Sequence, residues 1–441
     1  MSVAGERLAP DRRTHPRPGA HRVPAFWAAL SATAALRLIF AWSFIAHHAE
    51  RALALAPFSF ESSNVAYALA TGQGFSSPLR VPSGPTAWVA PVYPTLLAGV
   101  FRIFGPDSFG AFVAAVGLNI LFATLVCLPL YAAARALAGH RAGLIACCIW
   151  AVYPNAILLT YQSMWNGCLS ALLGVTLVWA TLRLRAADPR RANAVPWILF
   201  GLLWGLTLLT NPVFAAVLPV LFFLAARQWR TAVLGLAAAA LCVLPWTLRN
   251  RATLHAWVPV RSDLGLALWL GNNAGASVPW HGQQHPLDDA GQRALFLRQG
   301  EIPYMRAKFR AAVEYMAAHS RRTAERAWLR FWAFWSGGAP RPWRVLARGQ
   351  WQRRRLSGMD RYVLLADLLS GLGALAGWLW LWHRRRPGVW IVAAFPLLIP
   401  CAYYLTEAIP RYRLAIDPEV ILLAASCVTF LWRPAPRQES A

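Results

Sequence analysis

Ten runs of mostly apolar residues, each near the length that crosses a bilayer, constrain this chain more than any other feature. They fall near 25–46, 109–134, 142–160, 164–182, 195–210, 212–226, 231–248, 362–382, 388–405 and 415–432. A hydrocarbon core of about 30 Å takes roughly 20 apolar residues as a helix. No water is present there to satisfy backbone N–H and C=O groups, so each run has to satisfy its own as a helix. Composition agrees. The 441 residues are 57% hydrophobic and only 14% charged, where a soluble chain carries about 25% charge. The expected fold is an all-α polytopic membrane protein with about ten transmembrane helices. The runs on either side of Thr210-Asn211-Pro212 read as two short helices or one broken one. The stretch from Pro91 to Phe104 is short and carries Pro94 and Arg102, so it reads as interfacial or re-entrant.

The net charge of +25 is compatible with nucleic acid or with an anionic membrane surface. No nucleic-acid-binding signature appears, and much of the arginine flanks the apolar runs. Positive charge in short loops marks the cytoplasmic side. Arg135 and Arg141, Arg183 and Arg185, Arg190 and Arg191, Arg227 and Arg230, and Arg384 to Arg386 fall in alternate connections. The segment Tyr153 to Ser163 has no Lys or Arg and falls between them. Both termini are then expected in the cytoplasm, in a bacterial inner membrane. The N-terminal arginines precede an apolar run longer than a signal peptide's core, which reads as a retained first helix.

The expected organisation is a basic tail (1–23), a membrane region (24–248) with a first outer loop at 47–108, and a large outer loop at 249–361. The last helices occupy 362–432 and a short tail 433–441. The large loop is rich in arginine, but long loops translocate largely regardless of charge. Within it, 292–318 has helical periodicity, and Trp328, Phe331, Trp332, Phe334 and Trp335 read as an interfacial belt. The seven cysteines all lie in apolar runs without CxxC spacing, so they read as small buried hydrophobes. No Walker, GxGxxG or HExxH pattern is present, which argues against an ATPase, a dinucleotide enzyme or a zinc protease.

The polar residues able to do chemistry lie in the outer segments. Glu61 should open a short helix that ends at Gly72 or Gly74. There it is either a general base or a carboxylate favoured by the helix dipole. Arg411 and Arg413, one turn before the last helix, can pair with phosphate or snorkel to headgroups. Arg249 and Arg251 invite the same two readings. Arg37 lies within the first span, where charge is costly, and should face the bundle or snorkel. His255, His281 and His285 lack metal-like spacing and read as loop polarity, and Glu301 reads as structural.

Taken in order, these motifs resemble the GT-C glycosyltransferases, nearest to the family 39 and ArnT-like, dolichyl-phosphate-mannose-protein mannosyltransferase-like, enzymes. They are Phe60-Glu61 with its short helix, Gly72-Gln73-Gly74, Gly84-Pro85-Thr86 and Pro91-Val92-Tyr93-Pro94. Further on come Pro245-Trp246-Thr247-Leu248-Arg249-Asn250, Trp269-Leu270-Gly271-Asn272-Asn273, His285-Pro286, Gly300-Glu301 and Arg411-Tyr412-Arg413. The resemblance covers most of 25–432. It implies transfer of a sugar from a polyprenyl-phosphate carrier to a lipid, glycan or protein acceptor on the outer face. Carried over, Glu61 is the catalytic acidic residue. Arg411 and Arg413 face the donor phosphate, and Arg80 and Arg249 are further candidates. Relatives often show an Asp-Glu pair where this chain has Phe60-Glu61, and a carboxylate where it has Met164-Trp165-Asn166. A lone carboxylate suits a divalent cation poorly, so a metal-independent reaction without a cofactor is expected. A transporter or flippase, which should show repeated halves and discontinuous helices, and an inactive accessory subunit are the rival readings.

Overall fold

The computed structural model describes residues 22–54, 58, 60–187, 193–226, 229–279, 284–351 and 354–431. The N-terminal arginines Arg7, Arg12, Arg13 and Arg17, together with Arg190, Arg191, Arg227 and His281, lie outside the described residues. So does the tail from 432.

A helix runs along each apolar stretch. The first half of the bundle holds α1 (Arg22–Ala54), α2 (Glu61–Ala70), α3 (Val92–Phe104), α4 (Phe109–Leu125), α5 (Cys127–Ala138), α6 (His140–Val152) and α7 (Pro154–Gln162). After it come α8 (Gly167–Ala186), α9 (Ala194–Thr210), a 3₁₀ turn (Pro212–Ala216), α10 (Leu218–Ala225) and α11 (Trp229–Leu254). The large loop folds into α12 (Leu264–Gly271), α13 (Ala290–Gln299), α14 (Glu301–Ala318), α15 (Ser320–Trp335), α16 (Pro342–Arg348) and a minimal hairpin of β1 (Gln350–Trp351) and β2 (Arg354–Arg355). The chain then re-enters the bundle as α17 (Gly358–His383), α18 (Val389–Leu405), α19 (Pro410–Arg413) and α20 (Asp417–Leu431).

Among the described residues, five segments are long and apolar enough to span a membrane alone: Pro24–His47, Phe109–Ala138, Gly167–Ala186, Trp229–Leu254 and Gly358–His383. A sixth arises if α6 and α7, bent by 46° at Tyr153, act as one span. The bend has a local cause, since Pro154 opens α7 and Tyr153 is extended. The chain is thus an all-α integral membrane protein. Its remaining apolar helices, among them α9 and α18, are shorter.

Several boundaries differ from expectation. Helix α1 continues to Ala54, past the predicted loop start at 47. The periodic stretch 292–318 is two helices, because Gly300 takes φ +78° and breaks it. Segment 91–104 is a regular helix whose Tyr93, Leu97 and Phe101 are buried. Cys148 and Cys401 are exposed rather than buried, while all seven thiols are free.

The bundle is held by close helix approaches. Helix α9 packs on α11, and α17 on α20. A Cβ on Gly377 of α17 would overlap the Leu423 carbonyl of α20, the small-residue contact that lets helices associate in lipid. Several buried polar side chains are bonded across this core. Arg37 is fully buried, donates to the carbonyls of Thr33 and Trp150 (both 3.0 Å) and lies against the Trp150 ring. It faces the bundle, as expected for a charge inside a span.

Candidate active site

The connectivity brings the polar loops to one end of the bundle. Helix α8 starts there, and Asn166 just before it donates to the Thr210 carbonyl at the end of α9 (2.6 Å). Asn211 then caps the 3₁₀ turn through Val213 N–H, so the break at Asn211-Pro212 is a turn between two helices. The ends of α11 and α18 arrive at the same face.

The loops are locked together by the motif residues. Glu301 is buried and accepts hydrogen bonds from the Thr86 hydroxyl, from Ala87 N–H (2.8 Å) and from the Ser262 hydroxyl (2.8 Å). Burial pushes its carboxyl above the usual range, against these bonds. Arg249 donates to the Thr86 carbonyl (2.6 Å) and the Phe75 carbonyl (2.7 Å), with its guanidinium over the Trp246 ring. Three motifs far apart in sequence therefore form one clamp between the two outer loops. Arg249, a predicted phosphate ligand, has its donors engaged in that clamp.

A second junction places the link after α18. Arg330, 2% exposed, donates to the Gly271 carbonyl and to the carbonyl of Tyr404 (3.2 Å). Asn272 donates to the Leu405 carbonyl (2.7 Å). A Cβ on Gly271 would overlap the Thr406 carbonyl, so only glycine allows α12 this close to the chain that leads to Glu407.

Glu61 sits in this assembly as the first residue of α2, following the extended Phe60. It is buried, and its Oε1 lies 3.1 Å from Nε2 of His285. The Leu287 N–H donates to Nδ1 of His285 (3.2 Å). In the neutral ring this leaves the proton on Nε2, facing Glu61. Burial alone would raise the Glu61 carboxyl. The His285 hydrogen bond and charge, with Arg411 adding to them, outweigh it and hold Glu61 below its usual range. His285 responds in the opposite sense. Burial lowers it, but Glu61 foremost, then Glu407 and Asp288, lift it above its usual value.

Two further carboxylates lie within electrostatic reach. Asp263 is raised by burial against its ion pair with Arg261, and Glu61 adds to the rise. Glu407 is buried and pushed up to about 7, mainly by burial, with His285, Arg411 and Arg330 opposing. Among the described residues no three His, Cys, Asp or Glu side chains come close enough together to hold a metal ion.

Arg411 is the cation of this group. Its guanidinium lies 4.9 Å from the Phe60 ring and 4.7 Å from the Trp165 ring. The two rings meet edge to face at 6.0 Å. Phe60 and one residue of Met164-Trp165-Asn166, the stretches set apart in the sequence, thus present aromatic faces to a cation. Arg411 Nε is buried and finds no acceptor among the described residues. Burial lowers Arg411, but Tyr412 foremost, then Glu61 and Glu407, raise it above its usual value.

The other predicted arginines go elsewhere. Arg413 is fully buried, in ion pairs with Asp417 (3.0 Å) and Asp367 (3.3 Å). It also donates to the Ser370 hydroxyl (2.7 Å). Tyr153 and Asn155 complete the same network by donating to Asp367. Arg413 therefore joins α7, α17 and α20 and presents nothing to a donor phosphate. Arg80 is exposed, paired with Asp107 and stacked on Tyr67. Of the five predicted site residues, only Glu61 and Arg411 come together. His285, whose His285-Pro286 motif marked the position but not the role, is the partner that sequence reasoning missed.

The dolichyl-phosphate-mannose-protein mannosyltransferase family profile matches residues 88–248, which excludes Glu61. Among solved structures, the Archaeoglobus fulgidus oligosaccharyltransferase AglB, in complex with an inhibitory peptide and a dolichol-phosphate, aligns at 14% identity. That alignment covers 94% of this chain and 50% of that one, with a TM-score of 0.55. The same enzyme tethered to an acceptor peptide aligns at 12% identity over 94% and 50%, with a TM-score of 0.56. ArnT from Cupriavidus metallidurans, bound to undecaprenyl phosphate, aligns at 14% identity over 93% and 78%, but with a TM-score of 0.38, too low to group the two folds. No curated protein matches the chain. The chain spans about half the length of the oligosaccharyltransferases it matches. It shares the fold of the Archaeoglobus fulgidus oligosaccharyltransferase.

Proposed function

We propose that this protein is an inverting glycosyltransferase, of the family 39 and ArnT-like kind, that moves a sugar from a polyprenyl-phosphate donor to an acceptor. In this reading about ten helices cross a bacterial inner membrane, both termini are cytoplasmic, and the reaction takes place on the outer face. The observation that carries it is the pairing of an oriented carboxylate, Glu61 on His285, with Arg411 held against Phe60 and Trp165.

The chemistry needs two things. A phosphate is already a good leaving group, so no general acid is required. The acceptor's nucleophile must lose a proton, and the departing phosphate must be met by fixed positive charge. Glu61, kept ionised by His285, takes the acceptor's proton as its oxygen or nitrogen attacks the anomeric carbon. The bond from that carbon to the phosphate oxygen breaks, and the polyprenyl phosphate leaves toward Arg411. One displacement inverts the anomeric centre. No step calls for a metal or cofactor.

The test is transfer by the purified full chain, reconstituted in lipid with a panel of polyprenyl-phosphate sugars, a membrane acceptor extract and a chelator. The product's anomeric configuration is read by NMR. Inverted product in the presence of chelator is expected. Donor movement across the bilayer without any glycosidic product would replace this reading with the flippase.

A further inference from the structure

A cavity of about 780 Å³ lies at the end of the bundle opposite Glu61 and takes no part in the proposed transfer. Helix α18 has 17 residues and connects the two ends, so the cavity is about 25 Å from the Glu407 link. Its volume falls within the ~300–1,000 Å³ of small-molecule sites. The walls come from the ends of α8, α10 and α17, the turn at 384–388 and the start of α18.

Two chemistries meet on those walls. One is apolar and aromatic. Trp382 and Trp390 line the cavity, and each packs on Trp378, at 6.1 Å and 5.4 Å. Both remain partly exposed, 54% and 43%. The other is cationic. Arg185, His383, Arg385 and Arg386 also line it, and among the described residues no Asp or Glu does. Arg185 spends one nitrogen on the Leu224 carbonyl (2.7 Å). Arg385 and Arg386 are exposed and form no ion pair among the described residues. The turn that presents them is tight, with Arg385 at φ +48° and Gly388 at φ +94°. Snorkelling explains lone arginines at a span end, and an interfacial belt explains lone tryptophans. Neither explains a cavity that carries both on its walls.

We propose that this cavity binds an anionic phospholipid, its phosphate between Arg385 and Arg386 and an acyl chain along Trp382 and Trp390. Basic pockets between helices at the cytoplasmic side suit such headgroups. The site would hold a structural or regulatory lipid, whether or not the chain transfers sugar.

The test uses the purified full chain in neutral detergent and native mass spectrometry. Phosphatidylglycerol, phosphatidylcholine of the same acyl chains, or inorganic phosphate is added to wild type, to Arg385→Gln/Arg386→Gln, to Trp390→Ala and to a control, Arg344→Gln/Arg361→Gln, at the other end. A one-to-one phosphatidylglycerol complex is expected in wild type and control. It should weaken by about tenfold or more when the two charges are removed, and weaken also in Trp390→Ala. The altered arginines are exposed, so the variant should keep the wild-type melting temperature, and Arg386→Gln alone gives a smaller step. Equal retention of phosphatidylcholine, binding of inorganic phosphate as tight as that of the lipid, or an unchanged complex in the double variant would overturn the proposal.

Discussion

At the scale of single residues, four arginines that look alike in sequence have four different employments. Arg411 faces Glu61 between two rings, Arg413 is neutralised by two buried aspartates, Arg249 clamps loops, and Arg80 pairs at the surface. The pair Arg411 and Arg413 separates these roles experimentally. Arg411→Gln should lower transfer by about 10²–10³-fold, the size of effect seen when a charge-stabilising donor is lost, with little change in thermal stability. Arg413→Gln leaves two carboxylates without their cation and should cost about 3–5 kcal/mol, seen as a lower unfolding midpoint. His285 makes a pH prediction. It holds the Glu61 carboxyl below its usual range, so the base stays ionised well into acid. In His285→Phe, burial is opposed only by the weaker effects of the backbone and Arg411 and the Glu61 value rises, so the acid limb of the pH–rate profile moves to higher pH. An unmoved limb would remove His285 from the account. Glu407 has the opposite sign in stability. Its folded value, raised to about 7, makes its contribution full below the unfolded value and lost as pH rises through 7. Glu407→Gln should flatten that loss in unfolding measurements between pH 5 and 8.

At the scale of elements, the apolar runs and the stop signals around Glu61 were enough to place the helices, because both are local. The helix expected from Glu61 ends at Ala70, just before Gly72. The helical periodicity over 292–318 did not show the break at Gly300, whose positive φ separates α13 from α14. The site was less legible. Thr86 and Glu301 are 215 residues apart, and no spacing rule relates them. The motifs marked where the loops matter, and their partners show that most of them tie loops together rather than do chemistry. Phe60 and Trp165 carried no role in the sequence, and the aromatic seat they give Arg411 appears only in three dimensions. The Glu301 clamp gives the prediction at this scale. Glu301→Ala strands the Thr86, Ala87 and Ser262 donors, which should cost about 1–3 kcal/mol. Limited proteolysis should then cut the 76–90 loop sooner than in wild type.

At the scale of the whole molecule, the fold divides the work between two ends. The end that gathers the starts of α2 and α8 and the link after α18 carries Glu61, His285 and Arg411. The other carries the arginine-rich turn after α17. In the proposed orientation, alkaline phosphatase fused after Gly349 should be active outside the cell membrane, and after Arg386 inactive. The reverse pattern would invert the topology. The central claim is that Glu61 is the base for sugar transfer. The most direct measurement is sugar transfer by wild-type and Glu61→Gln protein with a radiolabelled polyprenyl-phosphate sugar, alongside donor binding by each. Transfer should fall by about 10²–10⁴-fold while donor binding persists. Equal transfer by the two proteins would contradict the assignment.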